Sequence, residues 1–249
     1  MINKENGIEY EVIEAKKKSD VNLVFVHGTG CNKKFLRAIA ELFEDYNCYL
    51  MDLPGHGNSD HTGYTIDNYI KAIKYMAEKL SNVVLVGHSL GGTLVAKTAS
   101  LNLKSVIGAV ILNSGASYPD LTGNIYKGAH EGKLNMEAFL DICGHADNED
   151  VLAAFKSMEP NGINIIDLLI DQVIDVSDDM KNIKIPTLII GGAAEVLVVP
   201  ENVERLHSLI KTSELIMLPE GRHMICIKEK HKTKQLICDF IKKNFLKNK

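Results

Sequence analysis

The sequence predicts an α/β fold in which a mostly parallel central sheet is covered by helices on both faces. Short apolar runs rich in Val and Ile, which end near Gly or Pro, alternate with longer amphipathic stretches, as in successive β-α-β units. Most of these runs are apolar throughout, which is typical of strands buried on both faces. A chain of 249 residues, 45% of them hydrophobic, can bury such a core as one domain.

The strands are predicted from apolar content and length. The opening residues 8–15, IEYEVIEA, alternate between apolar and polar, which favours an antiparallel edge strand or hairpin at the start of the sheet. The runs that follow are continuous and are interpreted as inner strands. They comprise residues 23–26, 49–53, 83–86, 106–112, 187–191 and 214–218.

Helices are predicted where apolar residues recur every three to four positions. The stretch from about 117 to 181 breaks the strand-helix alternation, because it holds helical patterns such as MEAFLDI and no convincing strand. We interpret it as a helical insertion, placed to form a lid, within a single domain of residues 1–249; ordinary crossover helices are the alternative. The other predicted helices are residues 33–44, 66–80, 90–102, 201–210 and 228–246.

Composition and charge narrow the classes of function. The net charge of −4 offers no electrostatic footprint for nucleic acid, and the basic tail at 242–249 is interpreted as a solvated helix end. No apolar run approaches the roughly 20 residues of a membrane helix, and the start MINKENGIEYE lacks a signal-peptide pattern, so we expect a cytoplasmic protein. The five widely spaced cysteines favour neither a disulfide framework nor a zinc site, and we expect no metal or cofactor.

The most informative segment is a buried strand that runs through GHSLGG at 87–92 directly into a helix. It matches the pattern G-x-S-x-G, in which a tight turn strains the serine backbone and small neighbours let strand and helix approach. The start of the helix brings N–H groups and its positive dipole end near a developing oxyanion. We therefore expect Ser89 to be a nucleophile. A Ser89 that merely caps the helix is the alternative, but it would not require both glycines.

Three further segments accompany this turn along the chain: HGTG at 27–30, DLPGHGNSD at 52–60 and EGRHM at 220–224. In this order the four segments resemble the α/β-hydrolase superfamily, in its esterase, thioesterase and haloperoxidase-like branch. The resemblance covers essentially the whole chain and implies the α/β-hydrolase fold with a serine, a histidine and an acid as catalytic residues.

The resemblance implies roles for the residues at matching positions. The backbone N–H groups of Thr29 and of Leu90, the residue after the nucleophile, would form the oxyanion hole. His223, in the loop after the last predicted strand, would be the general base that takes the serine proton. The loop at 52–60 has a mainly structural role in the family.

The sequence identifies the catalytic acid less clearly than it identifies the serine and the histidine. The family pattern G-x-x-D-x-x-x-P corresponds to residues 191–200, where Glu195 is the only acid. Glu can orient the histidine as Asp does, but its longer arm and its one-residue shift relative to the proline leave its aim open. An acid from elsewhere is one alternative, although the loop that starts at Asn113 and Ser114 offers none. A degraded triad, in a slow enzyme or a ligand-binding protein, is another.

Neighbouring residues are assigned lesser roles. The loop at 27–30 could suggest phosphate binding, but GxGxxG and Walker patterns are absent. His56 is interpreted as a loop residue and His88 as part of the pocket wall. Cys31 adjoins the oxyanion loop and Cys226 lies three residues past the base, so we hypothesise that modification of these thiols blocks the site.

Together these residues predict a serine hydrolase that cleaves carboxylic esters or thioesters of small to medium apolar acyl groups. The alternatives are another acyl chemistry, namely a carbon–carbon hydrolase, an acyltransferase or a haloperoxidase-like enzyme, and a ligand-binding or signalling protein with little turnover. The partner is a small-molecule substrate, and no oligomeric state is predicted. Candidate pocket residues in the insertion are Phe139, Leu140, Phe155, Met158, Ile166, Leu169 and Ile170.

Overall fold

One sheet of eight strands crosses the part of the chain that the structure, a computed structural model, describes: residues 1–17, 19–119, 121, 124–158 and 163–246. The strands are β1 Ile2–Glu5, β2 Ile8–Ile13, β3 Asn22–Val26, β4 Asn47–Met51, β5 Val83–His88, β6 Val106–Leu112, β7 Thr187–Gly192 and β8 Ser213–Leu218.

The sheet has the order β1-β2-β4-β3-β5-β6-β7-β8. Strand β2 pairs antiparallel with β1 and β4, whereas all later neighbours pair in parallel, so the predicted fold class with a hairpin at the edge is confirmed. Strand β3 lies between β4 and β5. The direction of sheet growth therefore reverses at β3, and the loops after β3 and β5 meet at the carboxyl edge, where open α/β sheets bind their ligands.

The described residues form eleven helices, and α2 shows why they begin where the sequence predicts. The Thr65 side chain accepts a hydrogen bond from the Asn68 N–H, and the buried residues that follow recur every three to four positions. None of the helices in these ranges has the length and apolar character needed to cross a bilayer. The helices are α1 Arg37–Ala40, α2 Ile66–Lys79, α3 Leu90–Ala99, α4 Asn124–His130, α5 Met136–Cys143, α6 Glu149–Lys156, α7 Ile163–Val173, α8 Ser177–Met180, α9 Pro200–Leu209, α10 Ile225–Lys228 and α11 Lys230–Phe245.

The predicted helix at 33–44 was wrong, because only α1 within it is helical. The N–H groups of residues 35, 37, 39 and 42 bond to the carbonyl three positions earlier, so the segment is a series of tight turns. Its start is anchored by Lys33, whose N–H donates to Asp52 Oδ1 at 2.7 Å and whose buried ammonium pairs with Asp52 and Glu9. These partners lie in other strands and loops, and apolar periodicity carries no sign of them.

Five helices, α4 to α8, lie between β6 and β7, and we refer to them as the cap helices. An isolated antiparallel bridge joins Ser117 to Asp175 at the base of this segment. Residues 120, 122–123 and 159–162 of the predicted insertion, and 247–249 of the basic tail, lie outside the described residues.

Helix α3 approaches the sheet so closely that two residues of the turn between β5 and α3 must be glycine. They are Gly87, near the end of β5, and Gly91, in the first turn of α3. A Cβ atom on Gly87 would lie within 3 Å of the Gly91 backbone, and one on Gly91 would lie within 3 Å of the carbonyl oxygens of Val26 and His27. Both obstructions are backbone atoms, which cannot rotate away. The glycines therefore let α3 pack against the ends of β3 and β5.

We expect Gly87→Ala to lower the free energy of unfolding by about 3 kcal/mol, because the added methyl group forces α3 away from the sheet. Gly132→Ala is the matched control. An added Cβ there meets nothing within 4 Å, so only the left-handed backbone, φ 71°, opposes it, at about 1–2 kcal/mol. Urea unfolding of both variants measures the difference. Equal losses would contradict the close approach.

Candidate active site

Ser89 occupies the strained turn between β5 and α3. Its backbone has φ 54° and ψ −127°, a conformation that residues with a side chain rarely adopt. The Ser89 carbonyl accepts the N–H groups of Gly92 and Thr93, but the Ser89 side chain makes no capping hydrogen bond. The capping alternative is therefore not observed, and the side chain borders a cleft instead.

His223 and Glu195 form a buried pair beside this turn. The Nδ1 atom of His223 donates to Oε2 of Glu195 at 2.8 Å, and each residue is 4% exposed. A carboxylate at Nδ1 favours the tautomer with the proton on that nitrogen. Burial acts to raise the pKa of Glu195, but the charge and hydrogen bond of His223 outweigh it and hold the pKa below its usual range.

The orientation of the Glu195 carboxylate is determined by hydrogen bonds within its own loop. Its Oε1 atom accepts the N–H groups of Val196 and Leu197, both at 2.8 Å. Its Oε2 atom, which bonds to His223, also accepts from the Asn113 side chain at 3.1 Å. Asn113 follows β6, where the sequence offered no alternative acid, and here it helps to orient Glu195.

Two other contacts hold the loop that carries His223. The Nε2 atom of buried His88 donates to the His223 carbonyl oxygen at 2.9 Å. Burial, reinforced by the nearby His223, lowers the pKa of His88 to about 3, so His88 stays neutral and lines the cleft, as predicted. Nη2 of Arg222 donates to the carbonyl oxygens of Asp141 and Ile142 in α5, which ties the loop to the cap helices.

The loop after β3 lies directly against Ser89. A Cβ atom on Gly28 would lie 3.1 Å from the Ser89 Cβ. Thr29 lines the same cleft as Ser89 and His223, so the structure brings these three predicted residues together. Leu90 is buried at the first position of α3, where a backbone N–H has no acceptor within its own helix.

Sequence reasoning missed two carboxyl groups of α7 that hold this loop. The Gly30 N–H donates to Asp167 Oδ2 at 2.8 Å, and the Thr29 hydroxyl donates to Asp171 Oδ2 at 2.6 Å. Both aspartates are buried and stand four residues apart, on one face of the helix. Their signal in the sequence is the pair of acids in the otherwise apolar run IIDLLID.

Asp167 also binds two residues behind the loop. His56 Nε2 donates to its Oδ2 at 2.9 Å, and the Tyr69 hydroxyl donates to its Oδ1 at 2.8 Å. Burial disfavours the charged His56, but the hydrogen bond and charge of Asp167 outweigh burial and raise the pKa of His56. His56 is a loop residue, as predicted, and it supports the anchor of the oxyanion loop.

The space in the cleft, including the part that is open to solvent, is about 460 Å³, and the walls of the cleft are mainly apolar. Among the predicted pocket residues, Phe139, Phe155 and Met158 line it. The prediction was wrong for Leu140, Ile166, Leu169 and Ile170. In α7 the face towards the cleft carries Leu168 and Asp171 instead, and apolar periodicity does not distinguish that face from the others.

The five cysteines all lie within the described residues, and no disulfide joins them. Cys31 lines the cleft, whereas Cys226 is fully buried and does not. Burial raises the pKa of Cys226 to about 12, so its reactive thiolate form is scarce. The hypothesis that thiol modification blocks the site therefore has structural support at Cys31 and none at Cys226.

We expect Asp167→Asn to lower the free energy of unfolding by about 3 kcal/mol at pH 6, because it leaves His56 buried without its anionic partner. The folded-state pKa of His56 is raised above 6.5, so the contribution of the pair is full below pH 6.5 and is lost as the pH rises through the folded value. The deficit of the variant should therefore shrink at higher pH. A part of it remains at every pH, because the amide nitrogen of Asn cannot accept the hydrogen bond that the carboxylate accepts from Gly30 or from Tyr69.

Chemical denaturation between pH 5.5 and 9 measures this difference. Asp178→Asn, at an exposed position of α8, is the control and should change stability by less than about 0.5 kcal/mol at every pH. A loss that stays constant with pH would show that His56 is neutral in the folded protein.

Comparison with known proteins agrees with this architecture. The chain is similar to the proline iminopeptidase of Saccharolobus solfataricus, at 28% identity over 90% of this chain and 86% of the relative. It is 26% identical to the pimeloyl-[acyl-carrier protein] methyl ester esterase of Wigglesworthia glossinidia brevipalpis, over 90% and 94%. A lipase-esterase related protein from Clostridium acetobutylicum superposes with a TM-score of 0.89 at 30% identity, over 94% and 99%. A model of the alpha/beta hydrolase family matches residues 23–227, and the chain belongs to that family.

Proposed function

We propose that this protein is a serine hydrolase that cleaves carboxylic esters or thioesters of small to medium apolar acyl groups. Ser89, His223 and Glu195 would act as nucleophile, general base and orienting acid. The observation that carries the proposal is the 2.8 Å hydrogen bond between His223 Nδ1 and a Glu195 carboxylate held by its own loop, beside the strained Ser89.

The geometry supports a two-step acyl transfer. Ser89 Oγ attacks the ester carbonyl while His223 takes its proton, and Glu195 stabilises the imidazolium that forms. The N–H groups of Thr29 and Leu90 stabilise the oxyanion. His223 then returns the proton to the leaving alcohol or thiol, and a water molecule releases the acyl group from Ser89 by the same route.

The cleft and the relatives favour ester substrates. Apolar side chains from three cap helices, Phe139, Phe155 and Leu168, line the cleft and suit a hydrocarbon acyl chain. One relative is named as a methyl ester esterase, and another as an esterase/lipase. The reaction requires no metal or cofactor.

We also propose that residues 117–181 act as a lid on a single domain. Helices α5, α6 and α7 supply part of the cleft wall, and Arg222 joins α5 to the loop of the general base. The insertion therefore forms part of the wall of the cleft that holds Ser89, where it can exclude water from the reaction.

Steady-state hydrolysis of p-nitrophenyl acyl esters of graded chain length tests the proposal. We expect Ser89→Ala to lower kcat by about 10⁴-fold or more, because no other group can form the acyl-enzyme. Ser100→Ala, at the far end of α3, is the matched control and should retain wild-type turnover, since its hydroxyl bonds only to the Lys97 carbonyl. Equal turnover in Ser89→Ala and the wild type would contradict the assignment.

We expect Glu195→Gln to lower kcat by about 10⁴-fold with little change in KM, because the amide cannot stabilise the imidazolium. Glu204→Gln, an exposed position on α9, should retain wild-type kcat. The same steady-state assay measures both variants. A Glu195→Gln enzyme with wild-type kcat would place the acid elsewhere.

A further inference from the structure

One carboxyl group interrupts the apolar wall of the cleft. Asp171 lines the cleft together with Ser89 and His223, and it is 5% exposed. Its Oδ2 atom accepts the Thr29 hydroxyl at 2.6 Å. Its Oδ1 atom is shielded from solvent and has no hydrogen-bond partner among the described residues. An unpaired buried oxygen of this kind is destabilising, and a ligand that bonds to it offsets the cost.

The surroundings of Asp171 favour its neutral form. Burial raises its pKa well above the usual range, and the charge of Asp167 adds to this effect, whereas the Thr29 hydrogen bond opposes it. With Oδ2 occupied by the Thr29 hydroxyl, the proton of the neutral acid lies on Oδ1. Asp171 then carries an O–H donor in the wall of the cleft.

The contact with Thr29 determines which part of a substrate the Asp171 O–H can bind. The backbone N–H of Thr29 is the proposed oxyanion donor, and its side chain touches Asp171. The free oxygen of Asp171 therefore lies within a few atoms of the scissile carbonyl. Leu168, Met158 and Phe35 give apolar surface to the same cleft, and Tyr118 and Tyr126 are further residues of its wall that carry a hydroxyl.

We propose that Asp171 is a specificity-determining residue that binds a hydroxyl or oxo oxygen on the acyl chain, close to the scissile carbonyl. Oxygen-bearing short acyl esters are then the preferred substrates over the plain acyl esters of equal length. This inference rests on the proposed hydrolase function and names its substrate class.

The test compares p-nitrophenyl 3-hydroxybutyrate with p-nitrophenyl butyrate. We expect the wild type to show a kcat/KM about tenfold higher for the hydroxy ester, the value of one good hydrogen bond to a buried group. Asp171→Leu should bring the ratio to one or below. Asp171→Asn should keep most of the preference, because its amide can donate to the substrate while its oxygen accepts from Thr29.

The ratio separates recognition from structural damage. A change in Asp171 that only distorts the Thr29 loop lowers both rates together and leaves the ratio unchanged, and that result would overturn the proposal. A wild-type ratio of one would do the same while the hydrolase function stands. No turnover of either ester by the wild type would overturn the hydrolase function and this inference with it.

A measurement on the wild type alone covers the case in which the leucine variant fails to fold. Both assays release a carboxylic acid product, so 3-hydroxybutyrate and butyrate can be compared as competitive inhibitors. We expect 3-hydroxybutyrate to bind about tenfold more tightly. Equal inhibition constants would contradict a polar contact in the acyl site.

Discussion

The turn between β5 and α3 has no room for a side chain at Gly87 or Gly91, and the position of Ser89, the proposed nucleophile, depends on this contact. Because α3 packs directly on the ends of β3 and β5, Ser89 is forced into a backbone conformation with positive φ and its side chain faces the cleft. The loop after β3 lies against the same turn. Backbone packing thus places the proposed nucleophile and the proposed oxyanion donors, and the strain of about 1–3 kcal/mol is carried by the large buried sheet around them.

Side chains, by contrast, position His223, the proposed general base. His223 lies in a loop, and its ring is held by Glu195 while its carbonyl oxygen is held by His88. Glu195 in turn depends on two N–H groups of its own loop and on Asn113. In the family pattern the acid stands one residue further from the N-terminus relative to the proline than Glu195 does. Glu195 can still bond to Nδ1 of His223, because N–H groups of its loop bind the carboxylate and orient it.

Sequence patterns predicted what depends on neighbours along the chain. The strand, the tight turn and the helix around Ser89 follow one another within twenty residues, and glycine spacing marks them. The bonds of Asp167 to Gly30 and His56 join residues more than 100 positions apart, and no local pattern carries them. The same reason explains the wrong helix at 33–44, whose start is held by an ion pair with β2 and the loop after β4. Asp167 and Asp171 stand out as acids in an apolar run of the sequence, but the sequence does not show which residues they bond to.

The dual role of α7 limits how this fold can change its substrate range. This helix forms part of the cleft wall through Leu168, and its carboxyl groups also hold Thr29 and Gly30. The helix therefore cannot be replaced without effect on the loop at 27–30. A replacement that enlarges the pocket also removes the carboxyl groups that hold this loop. Helices α5 and α6 contribute Phe139 and Phe155 to the wall without contacting that loop through a carboxylate. Of the two, α5 also holds the His223 loop through Arg222, so variation in pocket size can accumulate in α6 with the least effect on the proposed catalytic residues.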